Sequence, residues 1–272
     1  MPFAVNQGVQ IYWDEVGEGD PLLLIMGLGY PSHAWHRTRS ILSQKFRTIA
    51  LDNRGVGSSD MPPGPYSIAL MASDAAAVLD AAAVKSADVF GISMGGMIAQ
   101  EFALQYPTRV RALILGCTAA GGPSAVRCEP EATQMLMSRG GMTPEQAADA
   151  AVPFIYHPAT SRKLIEEDLE IRRPWFPKAV AYIAQLQGIL SWESYSRLSQ
   201  INAPTLVIHG ESDLLVPPAN GKLIAEKIPG AKLVLLPNAG HIFTTDQPEA
   251  AHRAILEFLE SQRTAVALPQ TL

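Results

Sequence analysis

Gly91-Ile-Ser93-Met-Gly95 sets a serine between two glycines, directly after the apolar run SADVFGI (86–92) and at the start of the helical pattern GGMIAQEFALQYP (95–107). A strand that turns sharply into a helix crowds the residue at the bend, and side chains two positions to either side collide there. Glycine at 91 and 95 relieves the crowding, and G-x-S-x-G in a strand–turn–helix context is the pattern of a strained serine nucleophile. The bend aims Ser93 at the carboxyl edge of a sheet, near the positive end of the following helix. Acyl transfer suits such a serine. It also demands a base, a carboxylate to orient the base, and N–H donors for a developing oxyanion.

The chain has 6 histidines, at 33, 36, 157, 209, 241 and 252. His241 follows KLVLLPNAG and so falls in a loop past the carboxyl end of the last apolar run, on the same edge as Ser93. His252 lies inside the final amphipathic helix, His209 inside the strand pattern TLVIHG, and His157 in the helical middle of the chain. His241 is therefore the candidate base. Asp213, in HGESDLLVP, is the candidate orienting acid; Glu211 shares its loop but stands closer to the strand end. Asp52 also ends a strand run, but Asp52-Asn53-Arg54-Gly55 reads as a hydrogen-bonded turn. The turn Met26-Gly27-Leu28-Gly29-Tyr30 offers the backbone N–H of Leu28 as an oxyanion donor, with that of Met94 as its partner.

These residues need a scaffold that brings strand ends together. Six β-rich runs, at 21–27, 46–52, 86–92, 110–116, 204–210 and 232–238, each precede turn residues and then a helical pattern. Five of the six are continuously apolar, as strands of a parallel sheet covered on both faces must be. Alternation with helices at 67–84, 95–107, 219–228 and 248–262 predicts a doubly wound, mostly parallel α/β sheet with right-handed crossovers. The N-terminal VNQGVQIYWDEVGEG reads as an antiparallel hairpin on its edge, and the tail TAVALPQTL as loose chain. From 119 to 203 strand signals stop and helical, aromatic sequence takes over. We expect a core of 1–118 and 204–272 carrying a helical cap over 119–203. Phe154, Tyr156, Trp175, Phe176 and Trp192 of the cap, with Tyr30, are candidate pocket residues; packing into the cap's own core is the competing role for the five.

The chain has 272 residues, 47% hydrophobic and 17% charged, with net charge −5. That fits a globular fold with a large core, and without a run of Lys or Arg it carries no electrostatic footprint for nucleic acid or anionic membrane. The N-terminus lacks the basic start and apolar stretch of a signal peptide, and no run approaches the roughly 20 apolar residues that span a bilayer. The 2 cysteines, Cys117 and Cys128, have no CxxC pattern and read as free thiols in a reducing cytoplasm. No His/Asp/Cys cluster has metal-ligand spacing, so no metal or other cofactor is expected.

FRTIALDNRGVGSSD, FGISMGGMIAQEFALQYPTRVRALIL, LVIHGESDLLVP and PNAGHIFTTDQPE together resemble the α/β-hydrolase fold family over nearly the whole chain. The resemblance implies a triad of Ser93, Asp213 and His241, in that family's order of nucleophile, acid and histidine, with Leu28 and Met94 as the oxyanion hole. SMGGMIAQEFAL and the short cap resemble 3-oxoadipate enol-lactonases, microbial carboxylesterases and esterase-type N-acyl homoserine lactonases. Many members carry His-Gly before the oxyanion turn; this chain has Met26-Gly27, which leaves the backbone donors intact. The resemblance implies hydrolysis of a small ester or lactone, with N-acyl homoserine lactone as the leading lactone. A serine at 93 argues against haloalkane dehalogenase and epoxide hydrolase, which need a carboxylate nucleophile. C–C bond hydrolase, cofactor-free perhydrolase and a small-molecule receptor on the same fold are the alternatives.

Overall fold

A computed structural model describes residues 2–267. Its strands are β1 (Phe3–Asn6), β2 (Val9–Val16), β3 (Asp20–Ile25), β4 (Phe46–Leu51), β5 (Ala87–Ile92), β6 (Val110–Gly116), β7 (Thr205–Gly210) and β8 (Lys232–Leu236). They form one 8-stranded sheet in the order β1-β2-β4-β3-β5-β6-β7-β8. β1 and β2 make the expected edge hairpin, β2 runs antiparallel to β4, and every pairing from β4 to β8 is parallel.

β3 explains why the runs are continuously apolar. Leu22 and Leu24 point to one face and join Trp35, Phe90, Ile114, Phe243 and Ile255. Leu23 and Ile25 point to the other and join Val89, Leu113, Met71 and Phe102. Side chains alternate along a strand, and both faces here are roofed by helices, so neither set can be polar. The first roofing helices are α1 (His36–Leu42), α2 (Ile68–Ala81) and α3 (Met94–Gln105), and helices after the last two strands complete the cover.

Between β6 and β7 the chain leaves the sheet and makes α4 (Pro130–Ser138), α5 (Pro144–Ile155), α6 (Arg162–Arg172) and α7 (Ala179–Leu190). α5 starts on a full capping box, in which Thr143 and Gln146 satisfy each other's backbone N–H groups. Met135, Ala148, Ile155, Ile165 and Leu169 give these inserted helices a small core of their own. After β7 come α8 (Ala219–Lys227), α9 (Phe243–Asp246) and α10 (Pro248–Ala267). The tail expected to be loose is in part helical: residues 264–267 continue α10, and 268–272 lie outside the described residues. Among the described residues no helix is long and apolar enough to cross a membrane. Cys117 and Cys128 are both free, the first buried and the second half-buried.

Candidate active site

Ser93 stands between β5 and α3 with φ 58° and ψ −121°, a backbone conformation that disfavours any residue with a side chain. Such strain costs on the order of 1–3 kcal/mol and persists only where neighbours over-determine it. Here the Ser93 N–H donates to the Gly116 carbonyl at 2.9 Å. The Ser93 carbonyl accepts from Thr118 Oγ1 at 2.7 Å and from the Gly96 N–H at 2.9 Å. The flanking glycines are sterically required: a Cβ on Gly91 would lie 2.1 Å from the Gly95 carbonyl oxygen, and one on Gly95 2.0 Å from that of Ile25.

Asp213 follows β7 and His241 follows β8, so neighbouring parallel strands deliver both to one edge. His241 Nδ1 and Asp213 Oδ2 are 2.7 Å apart and buried. A carboxylate only accepts, so Nδ1 carries the proton and donates it, which leaves Nε2 with its lone pair. Asp213 Oδ1 takes the Leu215 and Val216 N–H groups at 2.9 and 2.8 Å. Burial would push this carboxyl up, but attraction to the protonated form of His241 and hydrogen bonds from His209 and His241 hold it well below the usual carboxylate range.

His209 is the residue sequence reasoning placed inside the strand without a task. It is fully buried, and its Nε2 faces the Val216 carbonyl at 2.8 Å and Asp213 Oδ2 at 3.3 Å. The carbonyl can only accept, so Nε2 carries the proton and steadies the same carboxylate oxygen that His241 Nδ1 meets. The loop before His241 is fastened as well: Asp246 accepts from the Gly240 N–H at 2.7 Å and from the His157 N–H at 3.0 Å.

The turn after β3 is closed by the Tyr30 N–H donating to the Gly27 carbonyl at 3.2 Å, with Gly29 at φ +72°. Positive φ at the third position of such a turn is why glycine stands there. Gly27 abuts the nucleophile: a Cβ on it would lie 3.0 Å from Ser93 Cβ and 3.5 Å from Oγ. The N–H of Leu28 in this turn and that of Met94 at the start of α3 thus flank the serine. Two side chains far away in sequence hold the turn. Asn53 donates to the Met26 carbonyl at 2.9 Å, and Gln185 of α7, fully buried, accepts from the Gly29 N–H at 2.9 Å while donating to the Arg54 carbonyl at 2.9 Å. Asp52 takes the Ser32 and Ser58 N–H groups at 2.6 and 2.8 Å, the turn-building role expected of it.

Ser93, His241, Leu28 and Met94 line a cavity of about 110 Å³ roofed by the inserted helices. Its walls are aliphatic and thioether: Met97, Met135, Leu136, Leu186, Ile189 and Leu215 dominate. Of the aromatic candidates, Tyr30 lines it and the other five do not. Trp192 packs in the main core and donates its indole N–H to Glu101 at 2.8 Å, because a buried indole needs an acceptor and Glu101 supplies one. Trp175 stacks on His33, ring centroids 4.6 Å apart, and Phe154 packs beside the core of the inserted helices. Phe176 lines an outer cavity with Arg172 and Tyr182. Tyr156 lines a smaller second cavity that shares Met26, Tyr30, Ile92, His241 and Ile242 with the first. The helical spacing of Met135, Leu186 and Ile189 resembles that of any packed face, so sequence carried no signal that they form the lining.

Among the described residues one trio of metal-ligating types, Cys117, His209 and Asp213, falls within 4.8 Å. Both Asp213 oxygens and His209 Nε2 already have the protein partners given above, and burial beside the Asp213 charge pushes the Cys117 thiol well up, so it is held as a poor ligand.

A family model described as the alpha/beta hydrolase fold matches residues 20–248. RutD of Azorhizobium caulinodans, whose name assigns it provisionally to carbamate hydrolysis, is 33% identical over 263 residues, covering 95% of this chain and 98% of its own. The enol-lactonase of Burkholderia xenovorans superposes with TM-score 0.85 at 27% identity, over 95% of this chain and 100% of its own. An N-acyl homoserine lactone-degrading enzyme, Est816, superposes with TM-score 0.79 at 29% identity, over 94% of this chain and 100% of its own.

Proposed function

The chain belongs to the α/β-hydrolase fold family, and we propose that within it this hydrolase cleaves carboxylic esters or lactones through Ser93, His241 and Asp213. The observation that carries the reading is the strained Ser93 sharing one cavity with His241, whose Nδ1 is held by Asp213 at 2.7 Å. Ser93 Oγ attacks the carbonyl carbon as His241 Nε2 takes its proton. The carbonyl π electrons move onto oxygen, where the Leu28 and Met94 N–H groups receive them. Collapse breaks the C–O bond, and the leaving alkoxide takes the proton from His241. Water, deprotonated by the same nitrogen, then releases the acyl group and restores the serine. In a lactone the leaving alcohol stays tethered, so the ring opens.

The enol-lactonase and the lactone-degrading neighbour support an ester-type carbonyl. The aliphatic cavity supports a substrate with an apolar arm beneath what we read as a cap over 119–203. The test is a panel of p-nitrophenyl butyrate, an enol-lactone and N-acyl homoserine lactones of graded length, assayed with wild type and Ser93→Ala, alongside mass spectrometry after fluorophosphonate treatment. We expect turnover of the panel, one covalent adduct on Ser93, and a loss of at least about 1,000-fold in Ser93→Ala. Turnover retained by Ser93→Ala, or an adduct elsewhere, overturns the assignment.

A further inference from the structure

Arg172 closes α6 with a relative exposure of 3%. Among the described residues no acceptor lies within hydrogen-bonding distance of its buried Nε or Nη1. A guanidinium taken out of water without a counter-charge is costly even after relaxation, and proteins rarely retain one without a use. Its Cζ instead lies over the Tyr30 ring, 3.5 Å from the ring centroid. Tyr30 in turn lines the cavity of Ser93.

The space Arg172 faces on that side is the smaller cavity of about 30 Å³, bounded also by Tyr30, Tyr156, His36 and His241. Its one acid, Asp168, is committed elsewhere. It takes Arg37 Nε at 2.9 Å, Thr245 Oγ1 at 2.7 Å and Tyr156 Oη at 3.1 Å, with His36 Nε2 at 3.3 Å. Asp168 is thus satisfied by its own cation and leaves the charge of Arg172 uncompensated. A volume of about 30 Å³ holds roughly two water-sized groups, the size of a carboxylate head and too small for an acyl chain.

We propose that Arg172 is the anion-binding residue of this active site and selects ester or lactone substrates that carry a free carboxylate on one arm. The inference rests on the reading of Ser93 as the nucleophile. The carboxylate arm passes Tyr30 and accepts the fork of Nε–H and Nη–H donors, while the apolar arm occupies the methionine- and leucine-lined cavity. Planar guanidinium and planar carboxylate meet in two parallel hydrogen bonds, which fixes the register of the carbonyl over Ser93.

The experiment compares mono-p-nitrophenyl glutarate with p-nitrophenyl valerate, the neutral ester of the same carbon-chain length, in wild type, Arg172→Gln and Arg172→Lys. Wild type is expected to favour the glutarate by about 10- to 100-fold in kcat/KM, the range of a hydrogen-bonded charge. That ratio collapses towards one in Arg172→Gln and is partly kept in Arg172→Lys. A second measurement needs no variant: glutarate inhibits wild-type turnover of p-nitrophenyl valerate, and glutaramide does not. The proposal is overturned by equal kcat/KM for the two esters in wild type, or by a ratio that survives in Arg172→Gln. If wild type hydrolyses neither ester, the esterase reading fails separately, and thermal-shift titration of Ser93→Ala with glutarate decides this one by whether Arg172→Gln removes the shift.

Discussion

The backbone N–H of Gly29 donates to Gln185 Oε1 at 2.9 Å although 156 residues separate the two. The same side chain donates to the Arg54 carbonyl at 2.9 Å, so one amide ties α7 of the insertion to both the turn after β3 and the turn after β4. Because the neighbouring Leu28 N–H is the proposed oxyanion donor, the aim of that donor depends on a residue of the inserted helices.

Replacing Gln185 by Met keeps the volume and removes both hydrogen bonds. A turn that loses its anchor presents its donor less well to the transition state than to the ground state. We expect kcat to fall about tenfold with KM nearly unchanged, a fraction of the loss caused by deleting a donor outright. Steady-state kinetics on p-nitrophenyl butyrate checks this, and a change confined to KM counts against the anchor role.

Asp213 fixes the tautomer of His241. In Asp213→Asn the amide can donate to Nδ1, which turns the lone pair of the imidazole away from the cavity. The expected loss is about 10,000-fold in kcat. His209→Phe leaves the His241 contact in place but removes the second imidazole from Asp213. It should lower kcat by about tenfold, between wild type and Asp213→Asn. Rates for the pair, with circular dichroism to verify folding, separate the two roles.

His252 on α10 is buried, and its Nε2 meets Thr38 Oγ1 at 3.1 Å. Burial disfavours its charged form and lowers its pKa from 6.5, against a smaller opposing influence of the Pro248 carbonyl, which can only accept from the ring. A histidine with a folded pKa below its unfolded one contributes no penalty above pH 6.5. As pH falls past that value the unfolded chain takes up the proton first, so stability is lost by at most about 1.4 kcal/mol per pH unit. His252→Gln should therefore show a shallower fall in Tm between pH 7.5 and pH 5.5 than wild type, measured by differential scanning calorimetry. Parallel curves would assign the acid sensitivity to other groups.

What could be read from sequence was what depends on neighbours along the chain. Gly91 and Gly95 mark the bend at Ser93 through steric demands two residues away, and the apolar runs mark strands whose ends deliver Asp213 and His241 to one edge. What escaped was pairing across the fold. Gln185, His209 and Arg172 act through partners on other elements, and a lone Gln or His in a helix or strand has no local signature of such a role. Trp175 and Trp192 misled for a related reason. Size and apolarity mark a residue for burial, but not for which cavity or core it is buried in. Trp192 found Glu101, Trp175 found His33, and the cavity was left to flexible Met and Leu side chains.

The two cysteines differ in a way that suits them to measurement. Cys117 is fully buried and its thiol is held protonated, whereas Cys128 is partly exposed just before α4, where the inserted helices begin. The thiolate is the form that maleimides attack, so a dye offered to the native protein at neutral pH reacts at one address without any engineered background. That address is on the segment that roofs Ser93, so fluorescence from it reports directly on whether the roof moves when substrate enters.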